Sequence, residues 1–205
     1  MPSDAAAFYF DLASPLAYLA AERILQVLGA PAEWQPVLAS ELPGAESFES
    51  FRCAEEREVF SAEIARRAEE LELQPLRLPE PFPFDSSLAM RVATYAKSIG
   101  RTVPFAQAAF RQAFAGGRSL ADPDNVLIAA AACEMHPAAV LKGAELRSVA
   151  EQLSAATRAA AEAGVTDVPA VSVAGRVFHG ERAPEEAAAH MRAHLRGEPL
   201  AGAGR

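Results

Sequence analysis

Strand-forming stretches stand only at the two ends of this 205-residue chain, and what lies between them reads as helices joined by loops. Ala6 to Phe10 is a short apolar run rich in aromatics, which predicts a buried strand. Asp11-Leu12-Ala13-Ser14-Pro15 breaks it, and serine followed by proline is a strong helix start, with Ser14 at the N-cap and Pro15 in the first helical position. Leu16, Leu19, Ile24 and Leu28 then predict one helix through Leu28, closed by Gly29. Glu33 to Leu38 reads as a second strand with an irregular edge at Pro36, which has no N–H for a ladder.

From Glu46 to Cys133 no stretch has the alternation of a strand. Phe51 to Leu73 is charged and alanine-rich, and Leu88, Val92, Tyr95 and Ile99 recur at helical spacing, as do Val103, Phe110 and Phe114. Leu76 to Asp85, with Pro79, Pro81 and Pro83, is a loop, and Asp122-Pro123 starts another helix through Val126 to Cys133. At the far end Glu145 to Ala163 predicts a long helix closed by Gly164. A strand after Val168-Pro169, a turn at Ala174-Gly175-Arg176, a hairpin partner at Val177-Phe178-His179 and a helix from Pro184 to about Leu195 follow. The order predicts an α/β core, residues 1–42 and 145–197, interrupted by an all-helical insertion, 43–144, with a disordered tail at 198–205.

A net charge of −8 argues against nucleic acid or an anionic membrane as partner. No run approaches the roughly 20 apolar residues of a membrane span. Met1 to Ala7 lacks the basic segment of a secretory signal. Cys53 and Cys133 are the only cysteines and form no CxxC pair, so inert residues in a reducing cytoplasm are expected. Cys133 and His136 lack partners for a structural zinc, and His190 and His194 lack the glutamate of a metalloprotease helix, so no metal is expected and both helix histidines read as surface residues.

Two segments carry a resemblance: Phe8-Tyr9-Phe10-Asp11-Leu12-Ala13-Ser14-Pro15-Leu16-Ala17-Tyr18-Leu19, and Gly164-Val165-Thr166-Asp167-Val168-Pro169. The chain is similar to the DsbA family of thioredoxin folds, which carry a helical insertion, and within it resembles 2-hydroxychromene-2-carboxylate isomerases and kappa-class glutathione transferases. The proline-rich stretch from Leu78 to Arg91 adds to the similarity. In a redox member the helix opens Cys-x-x-Cys, and the helix N-terminus lowers the first thiol's pKa. Here those positions are Ser14 and Ala17, so disulfide exchange at this place has no sulfur to use. What remains is a hydroxyl and backbone N–H groups at a partly positive helix end, suited to an external thiolate. Ser14 is equally a plain cap, a role worth roughly 1 kcal/mol by itself.

The resemblance implies that Val168-Pro169 is cis, faces the helix start and leaves the Val168 backbone free for a peptide such as glutathione. Without it, Pro169 simply begins a strand. It also implies that a segment at the last helix binds glutathione. Relatives have Gly-x-Asp-Arg there, whereas this chain reads His179-Gly180-Glu181-Arg182, one residue shorter and with Glu for Asp. Glu181 and Arg182 would meet the charged ends of the tripeptide, or form a solvated pair. The asparagine that the isomerases carry after the second strand is missing from Ala39 to Gly44, and Asn125 is the only asparagine in the chain. Asp11 orients the Ser14 turn or merely ends a strand; Tyr18 and Arg91 line the cleft or pack between helices.

The implied activity is a glutathione-dependent or other thiol-dependent isomerase or transferase for a small aromatic acid, with Ser14 stabilising a thiolate that adds to an electron-poor carbon. A homodimer is implied only because relatives form one. The competing readings are a thioredoxin-fold protein that binds a thiol or peptide without turnover, and a divergent disulfide oxidoreductase.

Overall fold

The computed structural model describes residues 5–45, 51 and 53–196, so the tail expected at 198–205 lies outside the described residues. The core is a four-stranded sheet in the order β2-β1-β3-β4, built from β1 (Ala7–Phe10), β2 (Glu33–Pro36), β3 (Ala170–Val173) and β4 (Arg176–His179). β1 runs parallel to β2, with Phe8 beside Trp34, and antiparallel to β3, with Tyr9 beside Ala170. β2 stops at Pro36, two residues before the expected end, although the Val37 N–H still reaches the Phe10 carbonyl at 3.1 Å. β3 and β4 form the expected hairpin, whose turn puts Ala174 and Gly175 at φ 47° and 75°. Both central residues of such a turn need positive φ, which is why a glycine is there.

The helix expected over Pro15–Leu28 is two helices, α1 (Pro15–Ala21) and α2 (Ile24–Leu28). The break at Glu22–Arg23 turns the Arg23 guanidinium toward the last helix, α9 (Ala183–Leu195), where it pairs with Glu185 and donates to the Glu181 carbonyl at 2.8 Å. Between β2 and the long helix α8 (Arg147–Glu162) the chain is helical: α3 (Ala54–Glu70), α4 (Ser87–Ser98), α5 (Thr102–Phe110), α6 (Pro123–Ala131) and α7 (Pro137–Ala144). α5 runs on into a π-helical turn, Arg111–Ala115. No strand occurs among the described residues of this block. α8 packs beside β2, and its Thr157 hydroxyl accepts the Leu38 N–H at 3.0 Å while donating to the Leu153 carbonyl.

The sheet has an apolar cluster on each face. Alternation in β1 sends Phe8 and Phe10 to the larger one, shared with the insertion, and Tyr9 to a smaller one with Val37, Ala39, Leu42, Val165 and Val168. In the larger cluster the aromatic rings form a chain. Phe8 and Phe10 meet Trp34 edge-on, Phe10 meets Phe110 at 5.8 Å, and Phe110 meets Tyr18 and Phe114 at 6.2 and 6.4 Å. Phe114 continues to Phe82 and Phe84 in the proline-rich loop. Tyr18 is thus a core residue, 1% exposed, rather than a cleft residue, and burial, then the nearby Glu22 carboxylate, push its phenol pKa up.

Two substitutions test this packing by urea denaturation. Phe110→Ala is expected to cost about 3–5 kcal/mol, since it removes the ring that joins sheet, first helix and insertion. Gly143→Ala is expected to cost about 1–3 kcal/mol, because a methyl there would lie 2.5 Å from the Tyr95 ring.

Candidate functional site

Chemistry concentrates where β1 gives way to α1. Ser14 has extended φ and ψ, and its N–H donates to the Asp11 carbonyl at 3.0 Å, closing a turn over residues 11–14. Its Oγ accepts the Ala17 N–H at 3.1 Å, so Ser14 is the cap that the Ser-Pro pair predicts. Because that bond uses an oxygen lone pair, the hydroxyl hydrogen remains to donate elsewhere. The neighbouring N–H groups are almost all used. That of Leu12 reaches the Met90 sulfur at 3.2 Å, and that of Ala13 reaches Asp11 Oδ1 at 2.9 Å. Pro15 has none, which leaves the Leu16 N–H without a partner among the described residues. The open donors at this helix start are therefore two: the Ser14 hydroxyl and one backbone N–H.

Asp11 holds the turn together. Its carboxylate is buried, 2% exposed; Oδ1 takes the Ala13 N–H and Oδ2 takes the Ala39 N–H at 3.0 Å, reaching from β1 to the 3-10 turn after β2. A side-chain interaction with Ser86 links it to the start of α4. Burial raises the carboxyl pKa above the usual aspartate range; the Ala13 and Ala39 N–H groups and Ser86 oppose that rise, and the charge of Asp85 adds to it. Asp11 is therefore more than a strand end. The signal legible in the sequence was one acidic residue inside an otherwise apolar run from Ala6 to Ala13.

The Val168-Pro169 bond is cis. Tyr9 pairs with Ala170, so Pro169 enters the sheet abreast of Phe10, beside the turn that carries Ser14. Val168 shares the smaller apolar cluster with Ala39, whose N–H holds Asp11. The loop is braced on several sides. The Thr166 N–H donates to His179 Nε2 at 3.1 Å, the Gly44 N–H to the Thr166 carbonyl at 2.7 Å, and the Gly180 N–H to the Pro169 carbonyl at 2.9 Å. Gly44 is required by the close approach, since a Cβ would lie 2.5 Å from the Thr166 oxygen. His179 and Gly180 thus hold the loop itself. The Val168 N–H is not open, as expected for a peptide-binding edge, but donates to Asp167 Oδ1 at 2.7 Å.

Glu181 departs further from expectation. Its carboxylate pairs with Arg67 of α3 at 2.6 Å, so it bridges core and insertion instead of standing ready for a ligand's amine. Arg182, at the start of α9, is exposed and has no ion pair among the described residues. His190 is buried, not at the surface: Ala183, Ala187 and His190 share the inward stripe of α9, the ring lies 5.5 Å from Phe178, and Nε2 has no hydrogen-bond partner. Arg91 is half-buried, with Nε on the Ser87 carbonyl at 3.4 Å. Cys53 is exposed at the start of α3, and Cys133 is buried in the turn after α6, where burial pushes its thiol pKa up. Among the described residues no three His, Cys, Asp or Glu side chains are grouped to hold a metal ion, and no helix is long and apolar enough to cross a membrane.

A family model described as a DSBA-like thioredoxin domain matches residues 6–192. The chain belongs to that family. Several solved structures share the DSBA-like fold. A 2-hydroxychromene-2-carboxylate isomerase is 18% identical with a TM-score of 0.80, the alignment covering 94% of this chain and 96% of that one. A probable DsbA oxidoreductase from Streptomyces coelicolor is 20% identical with a TM-score of 0.75, covering 98% and 93%. The cytosolic disulfide reductase DsbM from Pseudomonas aeruginosa, in a structure with GSH, is 13% identical with a TM-score of 0.62, covering 94% and 99%. No curated protein matches the chain in sequence. The DSBA-like domain thus reaches from the first strand to the last helix.

The raised pKa of Asp11 has a signed consequence. Between the usual aspartate value and its own higher value, the folded protein holds a proton that the unfolded chain has released, so stability falls as pH rises through that window. Urea unfolding of wild type and Asp11→Asn across acid pH should show this limb in the wild type alone, and parallel curves would refute it.

Proposed function

We propose that this DSBA-like protein is a thiol-dependent isomerase or transferase of the 2-hydroxychromene-2-carboxylate isomerase type, acting on a small aromatic acid with reduced glutathione as the bound thiol. The observation that carries the reading is the Ser14 hydroxyl: buried, fixed by the Ala17 N–H, beside the Val168-Pro169 loop, and with its hydrogen left to donate. A free thiol of pKa about 8.5 is mostly protonated at neutral pH, so one hydrogen bond to the charged form raises the thiolate fraction. When bound, the thiol supplies a reversible nucleophile for an electron-poor carbon. Ser14 donates to the sulfur, and the Leu16 N–H offers a second donor. The packed aromatic walls around Tyr18 and Phe110 keep water from the turn's inner side. That two structural neighbours are an isomerase and a reductase solved with GSH supports the choice of ligand.

The residues fit the sulfur end of glutathione better than its peptide end. Val168 N–H and Glu181 both have partners within the protein, whereas Arg182 is open to a carboxylate. Those two occupied groups favour, as the second reading, a protein that holds a different small thiol without turnover.

Calorimetry with reduced glutathione, oxidised glutathione and other small thiols separates the readings. The expected result is binding of a reduced thiol with a rise in thiolate absorbance, weakened about tenfold in Ser14→Ala by loss of a bond to a charged group. Binding that is unchanged in Ser14→Ala would remove the basis of the proposal, as would failure of every thiol to bind. Thiol binding without turnover of aromatic acids would favour the second reading.

A further inference from the structure

The Ser14 hydroxyl is aimed by the turn it sits on, and that turn has an unusual anchor. A carboxylate with 2% exposure is costly to bury unless its oxygens are bonded. A simple strand end would not need one, since an exposed residue or glycine turns a chain as well. Asp11 spends its two oxygens on two different connections: Oδ1 on Ala13 within the turn, and Oδ2 on Ala39, after the neighbouring strand. Its carbonyl takes the N–H of Ser14 itself. Its side chain also faces Ser86, where the chain leaves the proline-rich loop Leu78–Asp85 and enters α4. Four residues along α4 from Ser86, the Met90 sulfur takes the Leu12 N–H. Each backbone N–H from Leu12 to Ser14 is thereby fixed, two of the three by Asp11. Ala39 in turn packs with Val168. One side chain therefore connects the Ser14 turn, the wall beside the Val168-Pro169 loop and the start of α4.

Resting on the thiol reading of Ser14, we propose that Asp11 is the positioning residue of this site, holding the Ser14 hydroxyl where it donates to a bound thiolate. Asparagine in its place has a single acceptor oxygen, so its amide NH2 would face either the Ala13 or the Ala39 N–H, and the turn must shift to part the two donors. The burial that raises the Asp11 pKa agrees with this placement, because an anchor of this kind is held in place rather than solvated.

The test measures reduced glutathione binding by calorimetry, and the pKa of the bound thiol by its absorbance, in wild type, Asp11→Asn, Ser86→Ala and Ser14→Ala. A positioning role predicts binding about tenfold weaker in folded Asp11→Asn, the loss of one buried bond to a charged group, with the bound thiol's pKa moved up toward its free value. The sign is diagnostic. If the carboxylate acted only through its charge, removing a like charge would favour the thiolate and move that pKa down, and this result would overturn the proposal. So would wild-type affinity and wild-type thiol pKa in folded Asp11→Asn, whatever that variant's stability. Should Asp11→Asn not fold, Ser86→Ala decides: a thiol pKa between those of wild type and Ser14→Ala supports the proposal, and the wild-type value overturns it. A wild type that binds thiol, with Ser14→Ala altered and both other variants normal, sinks this inference and leaves the thiol reading standing. A wild type that binds none sinks both.

Discussion

The ring of Phe110 is the contact on which the arrangement of this protein depends. It meets Phe10 at the end of β1, Tyr18 in the middle of α1 and Phe114 one turn further along its own chain, and all four rings are fully buried. Pairs of this kind are worth about 0.5–1.5 kcal/mol each beyond the area they bury. Phe10 and Tyr18 flank the turn that carries Ser14, so one side chain of the insertion fixes the chain both before and after the site. The insertion is therefore not an appendage. It shares the larger apolar cluster with the sheet, and continues the aromatic chain through Phe114 to Phe82, Phe60 and Phe51. By contrast, the ion pairs along the seam, Arg67 with Glu181 and Arg111 with Glu22, are partly exposed; such pairs are worth at most about 1 kcal/mol. Packing, not the charges at the rim, decides where core and insertion meet.

Much of this was legible because it is local. A serine or aspartate before a proline caps a helix through bonds within four residues, as Ser14 and Asp122 do. Glycine after an apolar helix closes it, and the hairpin turn demands the glycine that the sequence supplies at 175. The element order, strand–helix–strand, a helical block, then helix–strand–strand–helix, followed from such signals together with the change of hydrophobic period from two to about four.

What escaped was long-range. The apolar spacing of Leu19, Ile24 and Leu28 runs through the break at Glu22–Arg23 because nothing local marks it: there Arg23 meets Glu185 in the last helix and the Glu181 carbonyl just before it. Glu181 read as a ligand group because its partner, Arg67, lies in the insertion and no spacing rule joins them. His190 and His194 share an i, i+4 relation that suggests a polar face, yet the inward stripe of α9 runs through Ala183, Ala187 and His190, which only the packing of α9 against β3 and α2 could select. At the site, the cap was visible in Ser14, whereas the N–H accounting around it needed Met90 and Ala39, both distant in sequence.

The turn's hydrogen bonds come from Asp11, the Met90 thioether and the Ser14 cap, so its shape needs no cysteine. On the proposed thiol reading, the sulfur comes from the ligand and the turn supplies only its donors. The two groups that the resemblance assigned to a peptide are engaged within the protein: the Val168 N–H donates to Asp167, and Glu181 pairs with Arg67. A ligand gains only the difference when it displaces a bond of this kind, since the net worth of one is about 0.5–1.5 kcal/mol, while a thiolate meeting the Ser14 hydroxyl and the Leu16 N–H displaces only water. On the proposed reading, selection by this site falls on the thiol, and a peptide portion contributes mainly through Arg182 and its carboxylate.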